Sequence, residues 1–219
     1  MEKIIYKSDI VEYKNFLTEE ECDEIVKLFN ENTSLWQQSC FYKSDVIDPG
    51  SALQGSSSKL ITKEYLNSII QRIKILGDEV SGKKLINLTF SGHRWHPGSF
   101  ASKHSDNTEL DGTPNAWRDN KYATLIYLNE DYEGGELVFD EHNIQISPGK
   151  GSLMIFDPGF HNLHSVNEIT NGIRYTILSS WNFENEYDRS EHEKLLKERE
   201  KMEEQRELQR QEWERGIVR

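Results

Sequence analysis

Two different periods of hydrophobic and polar positions run along this chain, and the first is that of a helix. Apolar residues recur three and four positions apart in "NFLTEEECDEIVKLFNEN" and again in "TKEYLNSIIQRIKILGDEV". This spacing puts them on one face of an α-helix, so we predict two N-terminal helices. Thr18 is the predicted N-cap of the first, with Glu21 as its capping-box partner. Between them, "SDVIDPGSALQGSSSK" is rich in Ser and Gly and predicts a loop.

From residue 85 the pattern becomes one of short strands. Turn sequences such as "NEDYEGG", "SPGKG" and "NEITNG" separate runs rich in β-branched and aromatic residues, namely "LINLTFSG", "YATLIYLN", "GELVF", "NIQIS", "SLMIFD", "LHSV" and "IRYTILSSW". Many short strands with Gly- and Pro-rich turns are typical of a sandwich or barrel. We therefore predict an α+β fold, mainly β: a double-stranded β-helix (jelly roll) with the N-terminal helices packed on one sheet.

The chain changes character once more after Trp181. "DRSEHEKLLKEREKMEEQRELQRQEWER" consists largely of charged residues and Gln that favour a helix, and its few apolar residues do not sustain a heptad seam. A solvated helix held by i,i+4 charge pairs is favoured over a helix that contacts a partner, and we expect it to add little to the stability of the barrel. The predicted regions are a helical or mixed support region (1–84), a strand-rich core (85–183) and a charged helical tail (184–219).

Overall composition narrows the classes of partner and compartment. The formal net charge is −12, which argues against a nucleic-acid partner. No apolar run approaches the roughly 18 residues of a membrane span, so no membrane partner is expected. The cysteines are Cys22 and Cys40, in unrelated contexts, and we interpret them as thiols in a reducing, cytoplasmic location.

His104 and Asp106 form the first candidate site. A His-x-Asp/Glu pair is expected about once by chance in this composition, so the pair needs support from elsewhere. At the end of an extended segment both side chains project from one face. A third ligand is available in His161 or His164; His164 lies in the strand "LHSV", ten residues before Arg174. Two His and one carboxylate leave coordination positions open, which indicates a non-haem Fe(II) oxygenase rather than a closed zinc site.

Several linked motifs strengthen this interpretation. "HRWHPGSFASKHSD", "YATLIYLNEDYEGGELVF", "ISPGKGSLMIF" and "HSVNEITNGIRYTI" occur in this order. Together they resemble the Fe(II)/2-oxoglutarate dioxygenases, and within them the prolyl 4-hydroxylase-like branch. The strand–"YLN"–"GGE"–strand pattern is the most specific match. The resemblance covers roughly residues 85–183 and, more weakly, the N-terminal "NFLTEEECDEI".

The resemblance implies a role for each candidate residue. His104, Asp106 and His164 would bind Fe(II), the alternative being ordinary surface polar residues. Arg174 would hold the distal carboxylate of 2-oxoglutarate with a bidentate, charge-assisted contact, the alternative being an arginine paired to a core acid. These four residues are the predicted catalytic set.

Two further residues are predicted to contact the co-substrate. Tyr127, on the "IYLN" strand, would donate its hydroxyl to the same carboxylate, unless it is a core tyrosine satisfied elsewhere. Thr176 shares the strand face of Arg174 and would assist, unless it is a plain strand threonine. Trp95 departs from the pattern, since many relatives carry a Tyr there. Gly134 and Gly135 are interpreted as turn residues with positive φ.

The resemblance implies an enzyme that hydroxylates an unactivated C–H bond with Fe(II), 2-oxoglutarate and O2, with ascorbate as an accessory reductant. A prolyl residue in a peptide or protein is the family's default substrate, and a free amino acid or small metabolite is the alternative. A nucleic-acid demethylase is disfavoured. The relatives that repair bases carry a second Arg shortly after the first, whereas "RYTILSSW" has only Arg174. A non-enzymatic jelly-roll binding module would not need the four residues together. Partner contact through the C-terminal helix and a lid formed by the segment 107–121 stay open.

Overall fold

A computed structural model describes residues 1–39, 41–54, 56 and 58–214, so that Cys40 lies outside the described residues. The helices are α1 (Glu19–Glu31), α2 (Pro49–Ala52), α3 (Lys63–Ser81) and α4 (Arg189–Glu214). The strands are β1 (Glu2–Lys7), β2 (Ile10–Lys14), β3 (Gln37–Gln38), β4 (Tyr42–Ile47), β5 (Leu85–His104), β6 (Tyr122–Tyr127), β7 (Glu133–Gly134), β8 (Leu137–Phe139), β9 (Ile144–Ile146), β10 (Leu153–Phe156), β11 (His164–Val166), β12 (Ile169–Asn171) and β13 (Arg174–Phe183).

In the described part of the chain, eleven strands form one continuous antiparallel sheet around the long strand β5, and β7 and β12 form a separate two-stranded sheet. The strand order is β1-β2-β10-β6-β13-β5-β11-β8-β9, with β4 also pairing with β5. The first part of β5 pairs with β13 and its last residues pair with β11. β5 therefore links β13, which carries Arg174, to β11, which carries His164. The predicted double-stranded β-helix is confirmed.

Two hydrophobic cores lie on opposite faces of the larger sheet. On the outer face, α1 and α3 bury Ile25, Phe29 and Ile73 against strand residues that include Ile126 and Ile177. The inner face has a separate core that includes Met154 and Phe156. The prediction of N-terminal helices packed on one sheet is therefore confirmed. Burial of this apolar stripe supplies most of the stability of such helices.

Local capping fixes where α1 begins. The Thr18 side chain accepts a hydrogen bond from the Glu21 backbone N–H at 3.2 Å, and the Glu21 carboxylate accepts one from the Thr18 N–H at 2.7 Å. The predicted capping box is confirmed. The corresponding start of α3 uses Thr62, whose side chain accepts from the Tyr65 N–H.

Several elements differ from the sequence predictions. The predicted loop between the helices contains strand β4 and the short helix α2, and the predicted turn "NEITNG" contains β12. Strands β1 and β2 extend the larger sheet beyond β10. The region 1–84 thus shares a sheet with the region 85–183, although the three-region division itself stays a prediction. Tertiary pairing supplies the partners of these strands, which local sequence pattern does not reveal.

The expected solvated tail is wrong for the first half of α4. Leu195 is 1% exposed and Arg199 is 7% exposed. Arg199 donates from Nε to the Ala116 carbonyl at 3.0 Å and pairs with Asp119, which also contacts His192 Nδ1 at 2.5 Å. The helix therefore packs on the segment 107–121. The hydrogen bonds and ion pairs between α4 and this segment are made by polar residues, so the sparse apolar pattern of the tail did not predict the packing.

In the part of the chain that the structure describes, no helix is both long and apolar enough to cross a membrane.

Candidate metal centre

The pairing of β5 with β11 brings three candidate ligands together. His164 lies directly opposite His104 in the antiparallel register, and their ring centroids are 4.4 Å apart. Asp106 follows β5, and its Oδ1 lies 3.5 Å from His104 Nε2 and 3.4 Å from His164 Nε2. The predicted three residues therefore converge. His161, the other candidate, is turned towards Asp9 instead, at 3.1 Å.

Backbone carbonyls set the orientation of both imidazole rings. His104 Nδ1 lies 2.7 Å from the Ser102 carbonyl, and His164 Nδ1 lies 3.0 Å from the Asn162 carbonyl. A carbonyl oxygen only accepts, so each Nδ1 carries the proton. Each Nε2 lies on the side of the ring that faces Asp106 and is the ring nitrogen available to a metal. A metal-ligating histidine is held in the same way, with its other nitrogen donating to a carbonyl or carboxylate.

The electrostatics of Asp106 favour its charged form. Burial works against ionisation, but contacts with His104 and His164 outweigh it and hold the pKa of this carboxyl well below its usual range. The pKa of His104 is raised. Burial alone would lower it, but the Asp106 carboxylate and contacts with backbone carbonyls outweigh the effect of burial. The site thus offers one anionic oxygen beside two imidazole nitrogens.

This donor set fits a divalent metal of the iron type. One ligand atom from each residue lies within 4.8 Å of the others, and among the described residues no other group of three His, Cys, Asp or Glu meets this condition. Two His and one carboxylate are the donor set of the non-haem Fe(II) oxygenases, and they leave positions free for other ligands. His164 is buried, whereas His104 and Asp106 keep about a quarter of their side chains exposed, at 30% and 23%. The open side therefore faces solvent.

Arg174 lies in the barrel interior, opposite Trp95 in the pairing of β13 with β5. It is 1% exposed, and its guanidinium lies 4.4 Å from the Trp95 ring centre. Its Nη1 donates to the Gly135 carbonyl at 2.8 Å, whereas Nε has no hydrogen-bond partner. Burial lowers the pKa of Arg174. In the described part of the chain no carboxylate pairs with it, so the core-acid alternative does not hold.

Tyr127 and Thr176 lie on the same inner face, directly opposite each other in the pairing of β6 with β13. Thr176 Oγ1 is buried and has no hydrogen-bond partner. The Tyr127 ring centre lies 5.9 Å from the Arg174 guanidinium; burial raises the pKa of Tyr127, and Arg174 opposes that rise. A buried cation and two polar atoms without partners, Arg174 Nε and Thr176 Oγ1, thus lie on one inner face, and such a set suits a carboxylate. Contact of these three residues with a co-substrate stays a prediction.

The paired glycines of "EGGE" have the predicted turn conformation. Gly134 and Gly135 have φ of 78° and 73°. A Cβ on Gly134 would lie 2.0 Å from the Glu168 carbonyl oxygen, so that position excludes any side chain. Gly135 also has a role that the sequence did not indicate, because its carbonyl accepts the hydrogen bond from Arg174.

The structure adds two aromatic residues that the sequence did not indicate for this site. Phe41 stacks on Trp95 with 5.0 Å between ring centres, and its ring centre lies 6.2 Å from that of His104. His93 lies beside Arg174, and burial, together with Arg174, lowers the pKa of His93 to about 4. The period of two along β5 places His93 on the face of Trp95, which was the available signal for it. No local signal pointed to Phe41.

Comparison with known proteins identifies the same region. Residues 90–182 match the family model described as the 2OG-Fe(II) oxygenase superfamily. Prolyl 3-hydroxylase 3 of Homo sapiens is 37% identical in an alignment of 90 residues that covers 36% of this chain and 12% of that relative. A PKHD-type hydroxylase of Crocosphaera subtropica is 24% identical over 173 residues, 77% of this chain and 76% of that relative. The chain thus spans about an eighth of the length of the prolyl 3-hydroxylase.

Solved structures share the fold over most of the chain. A prolyl hydroxylase of Trichoplax adhaerens, in complex with a hypoxia inducible factor peptide fragment, has a TM-score of 0.58 at 18% identity, covering 82% of this chain and 86% of that one. A prolyl-4-hydroxylase of Pseudomonas putida has a TM-score of 0.57 at 18% identity, covering 80% of this chain and 92% of that one. At this identity the likeness shows the fold.

Proposed function

We propose that this chain is an Fe(II)- and 2-oxoglutarate-dependent dioxygenase that hydroxylates a prolyl residue in a peptide or protein, because residues 90–182 match the model of the 2OG-Fe(II) oxygenase superfamily. The superfamily uses Fe(II), 2-oxoglutarate and O2. The proposal covers the whole protein's activity and substrate.

One observation carries the proposal: His104, Asp106 and His164 converge with both Nε2 atoms and one carboxylate oxygen facing each other. A binding module has no use for this arrangement, because three donors oriented towards one point, one of them buried, favour a metal. The buried Arg174 gives independent support. An uncompensated buried cation is costly, and an anionic co-substrate would remove that cost.

The chain's own residues would bind and orient the reactants. His104, Asp106 and His164 would hold the iron, which with 2-oxoglutarate and O2 supplies the oxidising chemistry for an unactivated C–H bond. Arg174 would fix the distal carboxylate of 2-oxoglutarate, assisted by the Thr176 hydroxyl and Tyr127. Trp95 covers the guanidinium on one face and keeps water from it. Exclusion of water strengthens the charge–charge contact inside the barrel.

The nature of the relatives supports a prolyl substrate. The similar curated proteins include prolyl 3-hydroxylases, and one of the similar structures is a prolyl hydroxylase bound to a peptide fragment. A free amino acid or small metabolite is the alternative substrate. We also propose that a macromolecular partner binds through the C-terminal helix α4 and that the location is cytoplasmic; the location rests on the sparse cysteines.

Succinate release tests the enzyme class. The purified chain is incubated with Fe(II) and 2-oxoglutarate under air, and succinate is measured with and without a chelator. His104→Ala should abolish the chelator-sensitive release. His96→Ala is the matched control, since His96 lies on the same strand but contacts Asp45 at 2.9 Å. Equal succinate release from wild type and His104→Ala would contradict the proposal.

The substrate is tested separately by mass spectrometry. Proline-containing peptides and a mixture of free amino acids are offered in parallel, and a mass gain of one oxygen atom is sought in each. Hydroxylation of a prolyl residue in the peptide pool is expected. Oxygen added only to a free amino acid would replace the prolyl-peptide substrate with the alternative, while leaving the enzyme class intact.

A further inference from the structure

We infer that Asn162 is a positioning residue for the metal centre, which it holds in place through His164. The inference rests on the proposed function, because it takes His164 to be a metal ligand. Asn162 is 0% exposed, although asparagine is mostly a surface residue. Its backbone carbonyl accepts the hydrogen bond from His164 Nδ1 that leaves Nε2 free to bind a metal.

Four hydrogen bonds saturate the Asn162 side-chain amide. Nδ2 donates to Asp9 Oδ2 at 2.7 Å and to the Asp157 carbonyl at 2.9 Å. Oδ1 lies 2.9 Å from Lys7 Nζ and 2.8 Å from His142 Nε2. An asparagine amide has two N–H groups and two acceptor lone pairs, so every group is used. The two acceptors on one side and the lysine on the other allow only one orientation of the amide.

The network ties the metal ligand to elements remote in sequence. Lys7 ends β1 and Asp9 lies in the turn before β2, whereas His142 belongs to the 3-10 turn Asp140–His142 after β8. Asn162 joins these elements and presents its carbonyl to His164, two residues later. A fully satisfied buried polar network is rigid, and a partly satisfied one is costly. The network therefore fixes the carbonyl that orients the imidazole ring.

A second contact in the same loop acts on Asp106. The Pro158 carbonyl accepts from the Asp106 backbone N–H at 3.0 Å and from Ser105 Oγ at 2.9 Å. The Asn162 N–H in turn donates to the Gly159 carbonyl at 2.9 Å, which closes the loop on itself. A shift of Asn162 would thus be expected to disturb the placement of two of the three ligands.

Metal affinity tests the inference without turnover. Asn162→Asp keeps the shape of the side chain but sets an oxygen against the Asp9 carboxylate and the Asp157 carbonyl. The orienting backbone carbonyl remains, but the contacts that hold it in place are disturbed. Loss of an orienting group weakens metal binding by about 10- to 100-fold, so we expect a rise of about tenfold, the lower end of that range, in the Co(II) dissociation constant, and an altered Co(II) visible spectrum. Adding Asp9→Asn to this variant should recover part of the affinity, because it removes the carboxylate–carboxylate repulsion.

Asn167→Asp is the matched control, since Asn167 is exposed and donates to Glu136 at 3.0 Å. It should bind Co(II) within about twofold of wild type. If Asn162→Asp does not fold, Lys7→Met is the second variant, because it removes one hydrogen-bond donor to the Asn162 side chain. It should raise the Co(II) dissociation constant by about two- to tenfold. Wild-type affinity and spectrum in either folded variant would overturn the inference. Equal Co(II) binding by wild type and His164→Ala would instead overturn the metal assignment in the proposed function.

Discussion

Replacement of Arg199 with Met should destabilise the protein, although Arg199 lies in the charged tail. The guanidinium pairs with Asp119 and donates to the Ala116 carbonyl, and both acidic and basic side chains are less than 10% exposed. Methionine retains most of the apolar stem but neither contact. The Asp119 carboxylate would then keep His192 as its charged or polar partner.

The expected loss follows from the contacts removed. A charge-assisted hydrogen bond contributes about 1.5–3 kcal/mol and a neutral one about 0.5–1.5 kcal/mol. Because His192 still contacts Asp119, the full cost of about 3–5 kcal/mol for a broken buried ion pair is not expected. We expect a loss of about 3 kcal/mol in the free energy of unfolding. For a chain of this size that corresponds to a fall of about 6–12 °C in Tm.

Urea denaturation and thermal unfolding of wild type and variant measure this loss. Arg189→Met is the control, since Arg189 is in the same helix but 83% exposed and pairs with Glu193 four residues later. Such an exposed pair contributes about 0.5 kcal/mol or less. If Arg199→Met changed the free energy of unfolding by less than about 0.5 kcal/mol, and left hydrogen exchange in α4 unchanged, the contact of α4 with the segment 107–121 would not be a stabilising one.

Three other predictions concern the barrel interior. Asp106→Ala removes the anionic donor and should weaken Mn(II) binding by more than about 100-fold in an equilibrium titration; retained affinity would contradict the ligand set. Arg174→Ala should raise the KM for 2-oxoglutarate by about ten- to a hundredfold while Mn(II) binding persists, and an unchanged KM would place the carboxylate elsewhere. His93 contacts Ser91 and lies beside Arg174, and its pKa is lowered from 6.5 to about 4 in the folded protein. Between these values the unfolded chain binds more protons than the folded one, so stability is lost as the pH falls from about 6.5 towards 4. His93→Gln should remove up to about 3 kcal/mol of this acid sensitivity in urea titrations at pH 7 and pH 4.5, and identical pH slopes would refute it.

Local pattern was sufficient for elements whose signal lies in consecutive residues. The helical stripe and the Thr18–Glu21 capping box fixed α1, and the spacing of His104 and Asp106 at a strand end fixed two candidate ligands. The third ligand needed a choice between His161 and His164. Strand membership favoured His164, and the structure places His164 directly opposite His104 in the sheet.

Features that depend on tertiary register gave no local signal. β12 reads as a turn because its partner, β7, is a two-residue strand that forms only when the chain folds back. The interior position of Arg199 depends on Ala116 and Asp119, about eighty residues earlier in the chain. A helix with sparse apolar residues can still be buried on one side when charge-assisted contacts replace hydrophobic ones.

The candidate metal site shows that the identity of ligands is easier to predict from sequence than their geometry. His104, Asp106 and His164 can be chosen from residue type and spacing, since the chemistry of a metal restricts the choice to few side chains. The residues that orient these ligands can be of many more types, so the sequence alone does not single them out. On one side a buried asparagine ties His164 to the N-terminal strands. On the other, Asn115 donates to the Asp106 carbonyl at 3.1 Å, within the segment on which α4 packs. Both ends of the chain thus support one site, so substitutions near either end, far from the ligands in sequence, should affect metal affinity.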